Sequence, residues 1–283
     1  MTANFLPEVH YKLSASASGA HPGQHRSHSG HSGLEFRSHA ALIDAPQARR
    51  IDVLASLRDP HERWLVRLNS QRLAAPVAVL ADLSASMAFA GPPSRMQVLA
   101  DFTASLAHSA WRAGDRFAFL GAHAQVRADF TLPPTRQHGA GLALAERLRG
   151  LVPAGASARG LLDAAQHLPR QRTLVFVLSD FHWPLADVAT LLARLSAHQV
   201  VPVVLWGAQE FELSAQFGLA HVLEPESGAR RWLWWRAALR MRWREAEVAR
   251  RRALWSLFRS QRREPLLMSG AFDADAVTRY FLS

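Results

Sequence analysis

The chain contains no cysteine. That excludes disulfides, thiol nucleophiles and thiolate metal sites. Lysine is nearly as scarce. Lys12 is the only one, so the formal net charge of +10 is carried almost wholly by arginine. An Arg-for-Lys bias beside abundant alanine reflects genome composition as readily as function, and by itself it does not argue for nucleic acid. No apolar run reaches the roughly 18–20 residues of a membrane span. Residues 1–13 lack a basic stretch followed by an apolar one, so no signal peptide is expected, and the expected location is cytoplasmic. What is present is a chain of 283 residues, 49% of them hydrophobic, enough for a full core in one large domain or two small ones.

The most informative segment runs from Pro76 to Met87. Pro76-Val-Ala-Val-Leu-Ala-Asp82 has the composition of a parallel strand covered on both faces. Asp82, Ser84 and Ser86 follow at its carboxyl end, where open α/β sheets bind ligands. Three hard oxygen groups in five residues suit Mg2+, or Mn2+ in its place. Downstream, strands are predicted at 115–121, 125–130 (an antiparallel edge), 173–180 and 200–206. Helices are predicted at 95–113, 142–148, 157–167, 186–198 and 237–262, with a short strand and a closing helix within 264–283. Ser94-Arg-Met-Gln97 reads as a capping box at the start of the first of these helices, which would carry Val98, Leu99, Phe102, Leu106 and Trp111 inward. This alternation predicts a doubly wound, mostly parallel α/β sheet over residues 73–283, including a basic C-terminal helix. Residues 1–72 are expected to be an extension of loops and short strands. Its Ser/Gly/His-rich stretch, 14–38, reads as a loop, and the spacing of His21, His25, His28 and His31 fits no closed zinc pattern.

Asp180 ends the second clear apolar strand, Thr173-Leu-Val-Phe-Val-Leu-Ser-Asp180. Neighbouring parallel strands would bring Asp82 and Asp180 to one sheet edge. The small-residue turn 155–160 could bring Ser157 there too. Two close carboxylates repel unless a proton or cation lies between them. Hydroxyl ligands would leave a divalent ion under-neutralised and able to take an acidic group from outside.

Asp82-x-Ser84-x-Ser86, Ser157 and Asp180 resemble the metal-ion-dependent adhesion site of von Willebrand factor type A domains. Gly114-Asp-Arg-Phe117 resembles the approach to that family's second strand. Gly33-Leu-Glu-Phe36, Arg50-Ile-Asp52, Ser56-Leu-Arg58 and Ser179-Asp-Phe181 resemble a bacterial family of otherwise uncharacterised proteins in which a short N-terminal region precedes a type A domain. Val53 stands where that family carries an aromatic residue, and its Tyr-x-x-Gly-Asp turn is degraded to Leu42-Ile-Asp-Ala-Pro46. The resemblance implies Mg2+ held by Asp82, Ser84, Ser86, Ser157 and Asp180, directly or through water. It implies a partner contact made by Met87, Arg159 and His182. It also implies joint action with a MoxR-type AAA+ ATPase on a client that supplies an acidic side chain, in chaperone-like maturation or metal insertion; one member type belongs to methanol-oxidation clusters.

Binding without catalysis is therefore the expected function. Two alternatives remain open on the sequence. One is an Arg-rich binder of nucleic acid or anionic membrane, resting on the arginines of 230–263. Those read more simply as a solvated helix face with snorkelling stems, and no nucleic-acid fold signature accompanies them. The other is a metal-dependent hydrolase, for which no positioned general base is found; Ser84 also lacks the glycines of a nucleophile elbow. His138-Gly-Ala-Gly-Leu-Ala-Leu-Ala145 imitates a dinucleotide fingerprint but lacks the required strand–turn–helix setting.

Overall fold

A computed structural model describes residues 6–13, 22–26, 35–45, 51–70, 72–89, 92–207, 218–223, 230–235 and 237–282. The chain divides into two compact units. One comprises Lys12–Ala75 with Ala113–Asp115, the other Met1–Tyr11, Pro76–Arg112 and Arg116–Ser283.

The smaller unit pairs β1 (Pro22–Arg26) with β4 (Arg72–Leu73), and β2 (Glu35–Ala41) with β3 (Leu65–Ser70), each antiparallel. The 14–38 stretch expected to be a loop therefore contains β1 and part of β2, because these segments find cross-strand partners that local composition does not reveal. His25 lies on β1; His21, His28 and His31 lie outside the described residues. A short helix, α1 (Val53–Leu57), is capped by Asp52, whose carboxylate accepts the Ala55 N–H at 3.1 Å. Val53 opens that helix and is exposed.

The larger unit is built on a six-stranded sheet. Its strands are β5 (Pro76–Asp82), β6 (Arg116–Ala122), β7 (Val126–Thr135), β8 (Leu174–Ser179), β9 (Gln199–Leu205) and β12 (Leu266–Met268), ordered β12-β9-β8-β5-β6-β7. Every pairing is parallel except β6–β7, which is antiparallel at the edge. The chain enters at the central strand β5, runs out to β7, then returns to β8 and runs out the other way to β12. This is the doubly wound order, and its direction reverses between β5 and β8, where such sheets leave a ligand crevice at the strands' carboxyl ends.

The helices α2 (Arg95–Ala113), α3 (His138–Arg149), α4 (Gly160–Ala164), α5 (Leu185–Arg194), α6 (Ala237–Ser260) and α7 (Ala274–Leu282) accompany the sheet, and β10 (Gly218–Leu223) and β11 (Arg230–Trp235) form a hairpin before α6. Residues along β8 alternate between faces, as the pleat demands. Phe176 meets Phe102 of α2 at 5.3 Å and Phe281 of α7 at 6.0 Å. Val175 and Val177 join the opposite cluster with Leu161, Val188, Leu191, Leu254 and Phe258. With both faces covered, β5 and β8 are wholly buried.

Several expected elements change at their limits. The helix expected at 157–167 is regular only over α4. The edge strand runs on through Pro133 and Pro134, which an edge position tolerates. Hence 138–145 does follow a strand. That strand is the antiparallel edge, however, and Gly141 lets α3 pack closely on α2, since an added Cβ would stand 2.4 Å from Ala107 Cβ. Trp111 is not a core residue but lies exposed near the end of α2. Trp232 and Trp235 lie on β11, ahead of the last long helix.

Ser94 accepts the Gln97 N–H at 3.2 Å, as a helix N-cap does. Ser94→Ala should lower stability by about 1 kcal/mol, read as a shift of the urea midpoint at unchanged slope; no shift would show that α2 does not depend on this cap.

Candidate functional site

β5 and β8 are adjacent and in register, with Ala81 opposite Leu178. That register sets Asp82 beside Ser179 and brings Asp180 to the same edge. Both aspartates are fully buried. One Asp82 oxygen, Oδ2, accepts the Ser179 hydroxyl at 2.6 Å, while Oδ1 accepts the Ser84 N–H at 2.9 Å. The Ser84 and Ser86 hydroxyls lie 3.2 Å apart. Four of the five expected ligands, Asp82, Ser84, Ser86 and Asp180, thus converge on the crevice.

Ser157 is placed differently. Its Oγ accepts the N–H of Arg159 at 3.0 Å, closing its own turn. The backbone of that loop does reach the Asp82 loop, through Ala85 N–H to Gly155 O at 3.0 Å and Ala154 N–H to Leu83 O at 3.2 Å. Gly160 locks the loop's far end. Its N–H donates to His123 O at 2.8 Å, and a Cβ there would stand 2.6 Å from the Gln125 carbonyl carbon.

Of the expected partner contacts, Met87 is corrected: it is fully buried, because the 3-10 turn Ala85–Ala88 folds its side chain under the loop. Arg159 remains exposed, with its guanidinium 3.3 Å from Asp187. His182 is half-buried; its N–H donates to Asp180 Oδ1 at 3.1 Å and its ring stacks on Trp206 at 6.1 Å.

Arg95, to which sequence reasoning gave no role of its own inside the Ser94–Gln97 capping box, stands at the centre of this edge. Its Nη1 donates to Asp180 Oδ2 at 3.0 Å and to Ser86 O at 2.7 Å, and its Nε donates to Leu205 O at 3.0 Å. A signal was available in the sequence. A cation in the first turn of a helix opposes the helix dipole, so an Arg there calls for an acid nearby. Arg95 also lines, with Phe89, Trp206 and Met268, a cavity of about 120 Å³ at this edge.

The loop after β8 is held from several directions. Phe181 adopts φ 52°, a left-handed conformation that costs a bulky residue on the order of 1 kcal/mol or more. Its N–H donates to Ser179 Oγ at 2.8 Å, and its carbonyl accepts Arg250 Nη2 at 2.6 Å. Trp183 Nε1 donates to Ser179 Oγ at 3.0 Å, and Trp206 Nε1 donates to Asp180 O at 2.7 Å. Strain kept in place by this many partners is the pattern of a positioned site.

The charge balance is uneven. Of the two buried carboxylates, Asp180 pairs with the Arg95 guanidinium, whereas Asp82 accepts from the neutral Ser179 hydroxyl and Ser84 N–H. Burial, and next the charge of Asp180, push the Asp82 carboxyl up to about 6, against the hydrogen bonds from Ser179 and Ser84. The donors are hard oxygens and the local excess is negative, so the residues fit a small divalent cation.

A doubly wound α/β domain of the von Willebrand A or Rossmann kind, with two acids and two hydroxyls at its switch point, is the class that fold and site define. Residues 46–253, more than half of the chain, match the family described as "Protein of unknown function DUF58", and the chain belongs to that family. It is similar to an "Uncharacterized protein in moxR 3'region" of Paracoccus denitrificans, 35% identical over 94 residues, 32% of this chain and 90% of that protein. Among solved structures it is similar to BatB from Bacteroides thetaiotaomicron, with TM-score 0.48 and 13% identity over 74% of this chain and 96% of that one. It is also similar to an aerotolerance-related membrane protein from Bacteroides fragilis, with TM-score 0.47 and 15% identity over 74% and 97% of the two chains. A third is proximal thread matrix protein 1 of the mussel byssus, solved with a zinc-occupied MIDAS motif, with TM-score 0.34 and 18% identity over 47% and 38%. Among the described residues, no helix is long and apolar enough to cross a membrane.

Proposed function

We propose that the chain is a metal-ion-dependent protein-binding module that acts without turnover. It would be the partner of a MoxR-type AAA+ ATPase in chaperone-like maturation or metal insertion of a client complex. The observation that carries the reading is the buried pair Asp82 and Asp180 at the switch point, flanked by the Ser84 and Ser86 hydroxyls and only half-neutralised by Arg95. The encoding of a 35% identical relative in a moxR region supports the choice of partner.

A bound Mg2+ or Mn2+ would supply positive charge and an open position for a carboxylate from the client. Asp82, Ser84 and Ser86 would hold it, with Asp180 and Ser157 acting directly or through water. Asp82 is preorganised for this by Ser179, which fixes one of its oxygens, and by the Ser84 N–H, which fixes the other. Arg95 holds Asp180 in place and keeps the edges of β5, β8 and β9 together through Ser86 O and Leu205 O. Arg159 and His182, at the surface of this edge, are positioned to meet the incoming protein.

The test is a pull-down from native lysate with Mg2+ or EDTA, using wild type and Asp82→Ala. Recovery of a MoxR-type ATPase, identified by mass spectrometry, only by wild type with Mg2+ is the expected result. Equal recovery in all four conditions would place the interface away from the metal.

A further inference from the structure

We infer that the amino-terminal half of α6 is a docking arm for an acidic segment of a partner protein, standing beside the metal site on the same edge of the sheet. Topology fixes where the arm is. β9 and β12 are parallel neighbours, so the chain leaves the carboxyl end of β9 and must return to the amino end of β12. α6 makes that return and therefore begins at the carboxyl edge.

Burial marks how far it overshoots. Leu254 and Phe258 are fully buried against the sheet, whereas the described side chains from Met241 to Ala249 are exposed or half-buried all around the helix. Arg250 marks the level of the edge, since its Nη2 donates to Phe181 O at 2.6 Å in the loop that follows Asp180. Residues 237–249 continue past that level, which at 1.5 Å per residue is about 20 Å of helix. The arm is tied to the site a second time: Arg251 lies 5.6 Å over Trp206, the residue that donates to Asp180 O.

The chemistry of the arm selects its occupant. Residues 237–249 carry three arginines, at 240, 242 and 244, against two acids, Glu245 and Glu247, and Arg250, Arg251 and Arg252 continue the basic run at the level of the edge. Arg242, Arg244 and Arg252 are exposed, as are Met241, Trp243 and Val248 among them. A surface of this sign calls for an acidic partner. A protein is favoured over nucleic acid or lipid because an acidic protein surface would supply both the carboxylate at the edge and the counter-charge along the arm. This choice rests on the function proposed above; the position and charge of the arm do not.

The probe is a fluorescein-labelled oligoglutamate peptide, titrated into the full chain with Mg2+ and with EDTA. Arg242→Glu with Arg244→Glu is expected to raise its Kd about tenfold or more. Arg136→Glu with Arg170→Glu, an equal charge change at exposed sites elsewhere, should raise it less than about threefold. Unchanged circular dichroism and melting show that the variants fold. Equal losses in the two pairs, or no loss in the first, would overturn the arm. Tighter binding of duplex DNA or phosphatidylserine vesicles than of the peptide would also overturn it, assigning the arm to another class of partner. Asp82→Ala separates the two readings. If neither it nor EDTA changes binding while arm reversal still costs tenfold, the metal reading fails and the arm stands. A response to metal with none to arm reversal sinks the arm alone.

Discussion

Arg95→Met should lose about 3–5 kcal/mol of stability, the cost of leaving one member of a buried ion pair without its partner. The guanidinium lies 3.0 Å from Asp180, which is fully buried, and also serves two carbonyls, Ser86 O and Leu205 O. Methionine keeps much of the stem's volume, so the effect isolates charge and hydrogen bonding. Chemical denaturation with EDTA present measures it. Adding Asp180→Asn to Arg95→Met should recover a large part of the loss, because the stranded charge is then removed. If the double variant is as unstable as the single, the cost lies in packing and the carbonyl contacts, and the ion pair does not organise the edge.

Mg2+ should raise the stability of wild type by about 3 kcal/mol at a hundredfold excess over Kd, and should not stabilise Asp82→Asn. The response should depend on pH with a definite sign. Asp82 sits at about 6, above its ordinary value of 3.8. Without metal, the stability it contributes is fully present below pH 3.8 and is lost as pH rises through about 6. A bound cation favours the charged form, so protons compete with it. The gain from Mg2+ should therefore grow from pH 5 to pH 7. Asp82→Asn carries no such charge; in EDTA it should be more stable than wild type at pH 7 and lack the loss through pH 6. Thermal melts at pH 5, 6 and 7, with Mg2+ or EDTA, read all of this. A wild type whose melting ignores Mg2+ at every pH would remove the metal from the reading, whatever the fold.

The parts of the site that were legible in the sequence are those written in local pattern. A Val- and Leu-rich run ending in Asp82-x-Ser84-x-Ser86, and a second ending in Ser179-Asp180, are strand ends whatever surrounds them. Ser94 is a cap because of the residues that follow it. Other features were not legible. Met87 sits three residues from Ser84 in a motif that reads as surface, yet a single 3-10 turn buries it. Ser157 has the right residue type, but its spacing does not reveal that its hydroxyl also accepts the Arg159 N–H. The 14–38 stretch has loop composition, and still β1 and β2 form where partners distant in sequence supply the pairing.

By itself the sequence determined the alternation of strands and helices, the burial of β5 and β8 on both faces, and the presence of an acid at each of their ends. These follow from side-chain periodicity and from the rule that one face or both must leave water. Only the tertiary structure decided what each acid meets. Asp82 accepts from Ser179 across 97 residues of chain, and Asp180 pairs with Arg95 across 85. Strand order decides such meetings, and strand order is settled by how all the layers pack together, which no local run of residues records.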